Sequence, residues 1–320
     1  MAMTRVAVTG GRGFVGSEVV RQLRGAGVAV VVVARPGTPS ASDTVAAAVT
    51  DVEALTRAFD GCEAVVLCAG INRERGRDTY DEVHIRGTAA AIEAARHAGV
   101  RRLVLVSFLR ARPDGPSPYH RSKWAAEQLL RASGLEWTVI RPAVIYGRGD
   151  HLLDHLSRAF HTFPMFGLVG RAARGVRPVA VADVARVLVA AAAGDERLRD
   201  RTVHVLGPER LTLEVAVRRV ADVVGRRPWL IPLPVAAHRL LARGWEALMD
   251  VPLVARAQVE ILADGLDTPL ADSEPPPVDL RPTTRFDEPS IRRGIPGPSA
   301  FGPRDLRPCA WLARARAGAR

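Results

Sequence analysis

RVAVTGGRGFVGSEVV, residues 5–20, is the stretch that decides the fold. Its opening run, Arg5–Thr9, is apolar at its centre, as in a strand buried on both faces of a parallel sheet. A glycine-rich turn follows directly, and a helical pattern begins there. Glycines in such a turn let helix and strand pack closely, and the free N–H groups at the helix start attract an anion. The turn therefore predicts a site for a dinucleotide pyrophosphate at Gly10, Arg12, Gly13, Phe14, Val15 and Gly16.

The same order of strand and then helix repeats through the first half of the chain. The strand-like runs are Arg5–Thr9, Val28–Ala34, Thr44–Val49, Ala64–Ala69, Leu103–Ser107 and Trp137–Ile145. The helical patterns between them are Phe14–Arg24, Val52–Phe59, Thr79–His97 and Ser122–Ala132. Alternating strands and helices form βαβ units, whose strands are parallel and whose helices cover both faces of the sheet. The sequence therefore predicts an α/β fold with a doubly wound, Rossmann-type parallel sheet.

The chain divides into three predicted regions. Residues 1–147 are predicted to form a dinucleotide-binding domain, to which residues 175–206 return. Residues 148–266 carry further strand and helix patterns and are predicted to form a smaller C-terminal α/β lobe for the substrate. Residues 271–320 hold nine of the 23 prolines and few large apolar groups. Such a composition buries too little surface to offset chain entropy, so a disordered tail is predicted.

Composition limits the class of protein. The chain has 320 residues, of which 48% are hydrophobic and 25% charged, values typical of a soluble globular protein. The net charge of +11 is spread along the sequence and aromatic residues make up 5%, so no nucleic-acid partner is predicted. Cys62, Cys68 and Cys309 have neither disulfide nor metal-ligand spacing, and no metal site is predicted. With no leader pattern and no membrane-length apolar run, the expected location is cytoplasmic, either free or peripheral to the inner face of the membrane.

The run YHRSK, residues 119–123, holds the only lysine among 45 basic residues. Because lysine is a compact point charge on a flexible stem, Lys123 suggests a task that guanidinium cannot perform. Tyr119 precedes it by four residues, and on a helix that spacing puts the phenol and the ammonium on one face. A nearby cation favours the ionised form of a phenol that is otherwise a poor base at neutral pH. The alternative is a surface lysine beside a loop tyrosine.

The end of the second strand bears on the choice of dinucleotide. A carboxylate there would bind the ribose 2′-hydroxyl and repel a 2′-phosphate, but the sequence VVVARPG places Arg35 at that position. Together with Arg12 in the glycine turn, this favours NADP(H), because guanidinium groups bind phosphate in a bidentate manner. Arginine is abundant throughout the chain, so NAD(H) stays as the alternative.

Residues after the third and fourth strands complete the predicted cofactor site. Asp51, followed by Val52, either reaches the adenine amino group or caps the next helix. Ala69 and Gly70 end the fourth strand, where small residues let a cofactor lie against the backbone, although Gly70 can equally terminate the strand. The carboxyl ends of parallel strands form the edge at which such sheets bind ligands.

Four motifs carry a resemblance to a known family: TGGRGFVG at 9–16, CAG at 68–70, YHRSK at 119–123 and RPAVIYG at 141–147. Together they resemble the extended or atypical branch of the short-chain dehydrogenase/reductase superfamily. Further stretches are similar to the subgroup that contains the NADPH-binding accessory subunit of respiratory complex I and its bacterial relatives: GVRPVAVADVA, VLGPERLTLEVAVRRVADVVGR and VPLVARAQVEILADG. The resemblance covers about residues 4–266.

The resemblance implies roles for individual residues. In this superfamily the tyrosine transfers a proton to or from the substrate oxygen while hydride moves to or from the nicotinamide. The lysine lowers the phenol pKa and binds the nicotinamide ribose, and Tyr119 and Lys123 match this pair. Ser107 matches the serine that polarises the substrate carbonyl, whereas Leu109 occupies the other usual serine position.

Other positions follow or leave the pattern of the superfamily. His84 stands where the extended branch often has asparagine, and it is either a polar relay or a helix-surface residue. Backbone from Pro142 to Val144 is expected to face the nicotinamide, the alternative being that Pro142 only closes the strand. The helices at 79–97 and 118–132 form the usual dimer face of the superfamily, so a homodimer is an expected assembly.

Two functions follow as hypotheses. The first is an NADP(H)-dependent oxidoreductase, or an epimerase-like enzyme, acting on a small-molecule or lipid-like carbonyl or alcohol. The second is an NAD(P)(H)-binding structural or redox-sensing protein associated with a membrane respiratory or quinone-related complex. The helical segment Val235–Met249 carries an apolar stripe that either packs inside the protein or makes peripheral membrane contact. That stripe consists of Leu240, Leu241, Trp245 and Leu248.

Overall fold

A computed structural model describes residues 5–37, 44–170, 174–249, 252–302 and 305–306. The chain forms two compact units, each assembled from three segments. The sheet unit consists of Met1–Ile145, Val179–Pro208 and Thr268–Thr284. The second unit consists of Tyr146–Pro178, Glu209–Asp267 and Arg285–Arg320.

The described strands and helices are numbered in chain order. The strands are β1 (Arg5–Thr9), β2 (Ala29–Ala34), β3 (Thr44–Ala46), β4 (Ala64–Leu67), β5 (Arg102–Val106), β6 (Glu136–Pro142), β7 (Ile145–Tyr146), β8 (Met165–Val169), β9 (Gly175–Val176), β10 (Val179–Ala180), β11 (Arg201–Val205), β12 (Leu211–Thr212) and β13 (Trp229–Leu233). The helices are α1 (Phe14–Gly25), α2 (Val52–Phe59), α3 (Gly87–His97), α4 (Pro118–Arg131), α5 (His151–Thr162), α6 (Val181–Ala192), α7 (Leu213–Val224), α8 (Val235–Leu248), α9 (Arg256–Asp264) and α10 (Glu288–Gly294). A π-helical turn, Asp81–Arg86, leads into α3.

The sheet unit is built on seven parallel strands within the described residues, in the order β11-β6-β5-β4-β1-β2-β3. Alternate residues of a strand point to opposite faces, so both faces need cover. Val6 and Val8 pack with α1 and α6, while Ala7 packs on the other face with α2, α3 and α4. The predicted doubly wound α/β fold is confirmed.

Several boundaries in the sheet unit differ from the sequence patterns, among them those of β3, α4 and α3. Strand β3 ends at Ala46, three residues earlier than its apolar run suggests. Helix α4 begins at Pro118, which has the fixed φ suited to a first helical turn, and Tyr119 is therefore helical. The pattern at Thr79–His97 resolves into the π-helical turn followed by α3.

The second unit combines helices with two short two-stranded sheets. Strands β8 and β13 are parallel, and β9 and β12 are antiparallel. Val169, Ala242 and Val259 form a small apolar core between β8, α8 and α9. None of the described helices has both the length and the apolar character needed to cross a bilayer.

The C-terminal segment corrects the prediction of a disordered tail over residues 271–302. In the sheet unit, Glu274 forms a β-bridge with Val203, and Leu280 is buried in the core. In the second unit, Phe286 and Ile291 are buried, the latter in α10. Backbone pairing and a few well-placed apolar groups therefore suffice despite the proline content. The predicted disorder of residues 303–304 and 307–320 lies outside the described residues.

Candidate active site and nucleotide cleft

The glycine turn between β1 and α1 leaves no room for side chains at two positions. Gly10 has a φ of +63°, and a Cβ there would lie 2.8 Å from the backbone of Ala69. A Cβ on Gly16 would lie 2.3 Å from the carbonyl oxygen of Gly10. The Gly13 N–H donates to that same oxygen at 2.8 Å, which closes the turn just before Phe14. The first N–H groups of α1 have no partner within the helix and can bind an anion.

A cleft of about 460 Å³ opens over this turn in the sheet unit. Six residues predicted to bind the cofactor line it: Gly10, Arg12, Gly13, Arg35, Ala69 and Gly70. Other residues that were not predicted also line the cleft, among them Thr50, Asp78, Glu82 and Thr88. No local motif marks them, because the loop after β3 and the segment before α3 reach the cleft only through the strand order. The volume and the glycine floor fit the adenosine and pyrophosphate part of a dinucleotide.

The rim of the cleft carries charges of both signs. Arg35 forms an ion pair with Asp78 at 2.8 Å, and both side chains are exposed. Arg12 and Arg77 line the cleft as well, as does Glu82, which accepts a hydrogen bond from Thr50. Because Arg35 is held by an exposed carboxylate, its guanidinium can exchange that partner for a bound phosphate at little cost.

Asp51 has the capping role, one of the two roles predicted for it. Its carboxylate accepts a hydrogen bond from the Ala54 N–H at 3.0 Å, and Val52 is the first residue of α2. An N-cap carboxylate satisfies a free N–H group and interacts favourably with the helix dipole.

Tyr119 lies buried on α4 among aromatic rings. The centroid of Phe108 is 5.3 Å from that of Tyr119, that of His84 is 5.7 Å away and that of Tyr80 is 5.8 Å away, all in edge-to-face geometry. Within the described part of the chain, the phenol oxygen has no hydrogen-bond partner. Burial, followed by the neighbouring Tyr80, raises the phenol pKa above its ordinary value. The phenol therefore carries its proton at neutral pH and can donate it.

Lys123 lies one helical turn further along the same face, and it is also buried. Its Nζ donates to the carbonyl oxygen of Val106 at 3.0 Å. Burial lowers the pKa of Lys123 to about 8, against the opposing effects of Cys68 and Glu127. A Cβ on Gly70 would lie 3.3 Å from Nζ, and Gly70 lines the nucleotide cleft. The ammonium group therefore lies close to the cleft. The lowered phenol pKa that the resemblance implied is not found, because burial dominates at Tyr119.

His84 connects the end of β4 to the helix that carries the tyrosine. Its Nε2 accepts a hydrogen bond from the Ile71 N–H at 3.1 Å, so Nδ1 carries the proton. Nδ1 therefore donates to the hydroxyl of Ser122 at 2.8 Å, and Ser122 donates to the backbone oxygen of Tyr119 at 3.0 Å. Burial, followed by the Lys123 ammonium, lowers the pKa of His84 to about 2. The imidazole is thus a neutral bridge and not a surface group.

Ser107 does not present a free hydroxyl at the strand end. It donates to the carboxylate of Glu127, which also receives two hydrogen bonds from Arg141 at 2.9 and 2.6 Å. Arg141 in turn pairs with Asp272 at 2.6 Å. The Ser107 hydroxyl proton thus belongs to a buried ion-pair network, and the carbonyl-polarising role that the resemblance implied for Ser107 stays a prediction. The sequence did not indicate that Glu127 and Arg141 meet.

The backbone after β6 is also engaged within the sheet unit. The Pro142 carbonyl accepts from the Leu109 N–H at 3.1 Å, and the Val144 carbonyl accepts from the Val179 N–H at 2.9 Å. Leu109 is fully buried in the core, so it replaces the family serine with an apolar contact. The expected contact of the backbone from Pro142 to Val144 with the nicotinamide stays a prediction.

The comparisons with known proteins agree with this site. A family profile described as NAD(P)H-binding matches residues 10–196. A protein of Caulobacter vibrioides named ceramide reductase is 33% identical over 262 residues, covering 78% of this chain and 80% of that protein. The mitochondrial NADH dehydrogenase [ubiquinone] 1 alpha subcomplex subunit 9 of Mus musculus is 27% identical, covering 72% of this chain and 63% of the subunit. The chain spans less than two thirds of several longer relatives.

A solved structure supports the fold. UDP-glucose 4-epimerase of Thermus thermophilus, in complex with NAD, matches with a TM-score of 0.64 at 22% identity, covering 91% of this chain and 97% of that one. Fold and glycine turn define an NAD(P)-binding Rossmann protein. More closely, the chain belongs to the NAD(P)H-binding family within the extended short-chain dehydrogenase/reductase superfamily, as its motifs predicted.

Proposed function

We propose that this protein is an NADPH-dependent reductase that converts a lipid-like ketone to the alcohol. The observation that carries the proposal is the buried, protonated phenol of Tyr119 one helical turn from the ammonium of Lys123. NADPH supplies a hydride to the carbonyl carbon, and the carbonyl oxygen needs a proton in the same step. Tyr119 donates that proton from its hydroxyl, which leaves a phenolate. The Lys123 ammonium lies on the same helix face and stabilises this negative charge.

The rim of the cleft supports the choice of NADPH over NADH. Arg12 and Arg35 both line the cleft and are the groups we expect to bind a ribose 2′-phosphate, for which Arg35 gives up an exposed ion pair with Asp78. The carboxylates of Asp78 and Glu82 would repel the 2′-phosphate. A preference for NADPH over NADH therefore requires that the attraction of the guanidinium groups exceed this repulsion. Gly10, Gly13 and Gly16 supply the pyrophosphate site in either case.

The nature of the substrate is inferred from the rings around Tyr119 and from the relatives. Phe108 and Tyr80 surround the phenol with apolar surface, which suits a substrate whose carbonyl is flanked by hydrocarbon. The Caulobacter relative carries the name ceramide reductase, and ceramide is a lipid. A long-chain ketone or an amide-bearing lipid ketone is therefore the class to test first.

The test is Tyr119→Phe, with Tyr80→Phe as the matched control, assayed as NADPH oxidation with lipid ketones. We expect Tyr119→Phe to lower kcat by about hundredfold or more, because the proton donor is removed. Tyr80→Phe removes the hydroxyl that donates to the backbone of Asn72 but keeps the ring beside Tyr119, and its turnover should stay within a few-fold of wild type. Fluorescence titration should give similar NADPH dissociation constants for all three proteins, and tighter binding of NADPH than of NADH. Unchanged turnover in Tyr119→Phe would sink the proposal.

A second function is favoured by the engaged hydroxyl of Ser107 and by the likeness to the mouse subunit. A protein whose carbonyl-polarising serine is held by Glu127 would bind the dinucleotide without turning it over. In that case NADPH binds with the same affinity, but no lipid ketone is reduced. The titration and the rate assay described above separate the two functions.

A further inference from the structure

Helix α8 of the second unit turns its leucines outward. Leu240, Leu248 and Leu241 are 70%, 55% and 44% exposed, respectively. The positions that face inward recur at intervals of three and four residues: Val235, His238, Ala242, Trp245 and Met249. An apolar stripe in the sequence is most often a packing face, but of the four stripe residues only Trp245 lies on the packed side. The leucines are left as an exposed apolar surface.

The strand that leads into α8 adds to this surface. Trp229 begins β13 and is 75% exposed, and its register partner on β8, Met165, is 53% exposed. Pro234 alone separates β13 from α8. Tryptophan has a large apolar body with one polar N–H group, and it is enriched where protein meets the membrane interface.

Exposed arginines outnumber exposed acids around these residues, Asp222 being exposed four residues before Arg226. Arg226 and Arg227 are exposed directly before the strand, and Arg243 is exposed on α8 itself. The acid within α8, Glu246, is engaged by Arg256 at 2.7 Å. Exposed leucine and tryptophan with an excess of arginine over acids are the composition of a surface that lies in the headgroup region of an anionic bilayer.

We propose that the leucine surface, defined as Trp229, Leu240, Leu241 and Leu248 with Arg226, Arg227 and Arg243, docks on an anionic phospholipid bilayer. Charge complementarity selects this occupant over a second copy of the chain, because two copies would bring arginine against arginine. The biological role of this membrane docking rests on the proposed function, since an enzyme that reduces a lipid must bind it at a membrane. The binding itself does not depend on turnover.

The test is co-sedimentation of the full chain with vesicles of phosphatidylglycerol and phosphatidylcholine, with pure phosphatidylcholine vesicles for comparison. We expect binding to the anionic vesicles. Two triple variants should weaken it: Leu240→Ser with Leu241→Ser and Leu248→Ser, and Arg226→Gln with Arg227→Gln and Arg243→Gln. Each arginine near an anionic surface contributes about fivefold in affinity, so the arginine variant should bind roughly hundredfold more weakly. The leucine variant should lose at least about tenfold.

Matched controls come from the sheet unit. Val278 is exposed, and Val278→Ser tests the loss of an unrelated apolar side chain. The variant Arg57→Gln, Arg101→Gln and Arg199→Gln removes the same charge from exposed positions elsewhere. Equal losses in these controls, equal binding to both vesicle types, or no binding would overturn the proposal. So would a melting temperature lowered by more than about 5 °C in the leucine variant, or a smaller oligomeric state than wild type, since either shows that protein covers the leucines.

The outcome is independent of the proposed function because no nucleotide or substrate is added. A protein that binds vesicles but reduces no lipid ketone would keep this inference and reject the enzyme. A protein that reduces a water-soluble short-chain ketone but does not bind vesicles would support the reductase and reject the membrane docking.

Discussion

Burial determines the protonation states of Tyr119 and Lys123. The phenol keeps its proton because water is excluded by the surrounding rings, and the ammonium keeps most of its charge at pH 7 with a pKa of about 8. For the proposed reduction this is the useful state, because negative charge forms on the phenol oxygen as the proton leaves and a cation on the same helix face can stabilise it.

His84 offers a test of positioning at the level of one residue. Its two ring nitrogens bind the Ile71 N–H and the Ser122 hydroxyl, and amide side chains can each replace one of them. His84→Asn places its amide near Nδ1, and His84→Gln places it near Nε2. We expect each to lower kcat about tenfold with the NADPH dissociation constant unchanged, because the helix carrying Tyr119 loses an anchor. Rates equal to wild type in both variants would show that the bridge does not position the tyrosine.

The substitution His84→Asn should also change the pH dependence of the free energy of unfolding. With a folded pKa of about 2 and an unfolded pKa near 6.5, His84 takes up a proton only on unfolding between these values. The free energy of unfolding should therefore fall as pH drops below 6.5, by about 1 kcal/mol per pH unit from this group. Urea titrations at neutral and mildly acidic pH should show a smaller fall in His84→Asn. The exposed His97 provides the control, and His97→Asn should keep the wild-type fall.

At the level of elements, local patterns predicted most of the sheet unit. Continuous apolar runs located β1, β2, β4 and β5, and the glycine turn located the start of α1, because buried strands and tight turns have strong local signatures. The π-helical turn and the true start of α4 were missed, since a π-helical turn has no distinct residue pattern and Pro118 was not read as the first residue of the helix. The hydrogen bond from Ser107 to Glu127 could not be predicted, because the two residues lie twenty positions apart in the sequence.

Gly16 gives a prediction at this scale. In Gly16→Ala the new methyl group meets the Gly10 carbonyl at 2.3 Å, so the turn must shift away from the start of α1. We expect NADPH affinity to fall at least about tenfold and the melting temperature to drop, because overpacking a close contact costs roughly 1–3 kcal/mol. Gly25 ends the same helix with nothing within 4 Å, so Gly25→Ala should leave both quantities unchanged or slightly raised. NADPH titration and thermal melts measure the difference, and equal effects would contradict the prediction.

On the scale of the whole molecule, the C-terminal segment belongs to the folded protein. Residues 271–284 run along the sheet unit, where Asp272 meets Arg141, and Thr283 and Thr284 donate backbone N–H groups to Asp183. Composition could not show this, because proline content reports on local propensity and not on specific partners distant in sequence. The buried carboxylate and guanidinium of Glu127 and Arg141 specify where the segment docks.

The two acids of this network should differ greatly in their contribution to stability. Glu127→Gln leaves the fully buried Arg141 without its main counter-charge, and we expect a loss of about 3 kcal/mol in the free energy of unfolding. Asp272 is 58% exposed, so Asp272→Asn should cost less than about 1 kcal/mol. Urea denaturation at pH 7 measures both. Equal losses would mean that the network is stabilised by its exposed end.

Lys123, the only lysine in the sequence, can also serve as an intrinsic spectroscopic probe. When the chain is produced with isotopically labelled lysine, a single side chain carries the label, and that side chain lies beside the nucleotide cleft. Its magnetic resonance signal reports the charge and surroundings of Nζ without any engineered probe. Occupancy of the cleft can thus be followed spectroscopically in the unmodified protein.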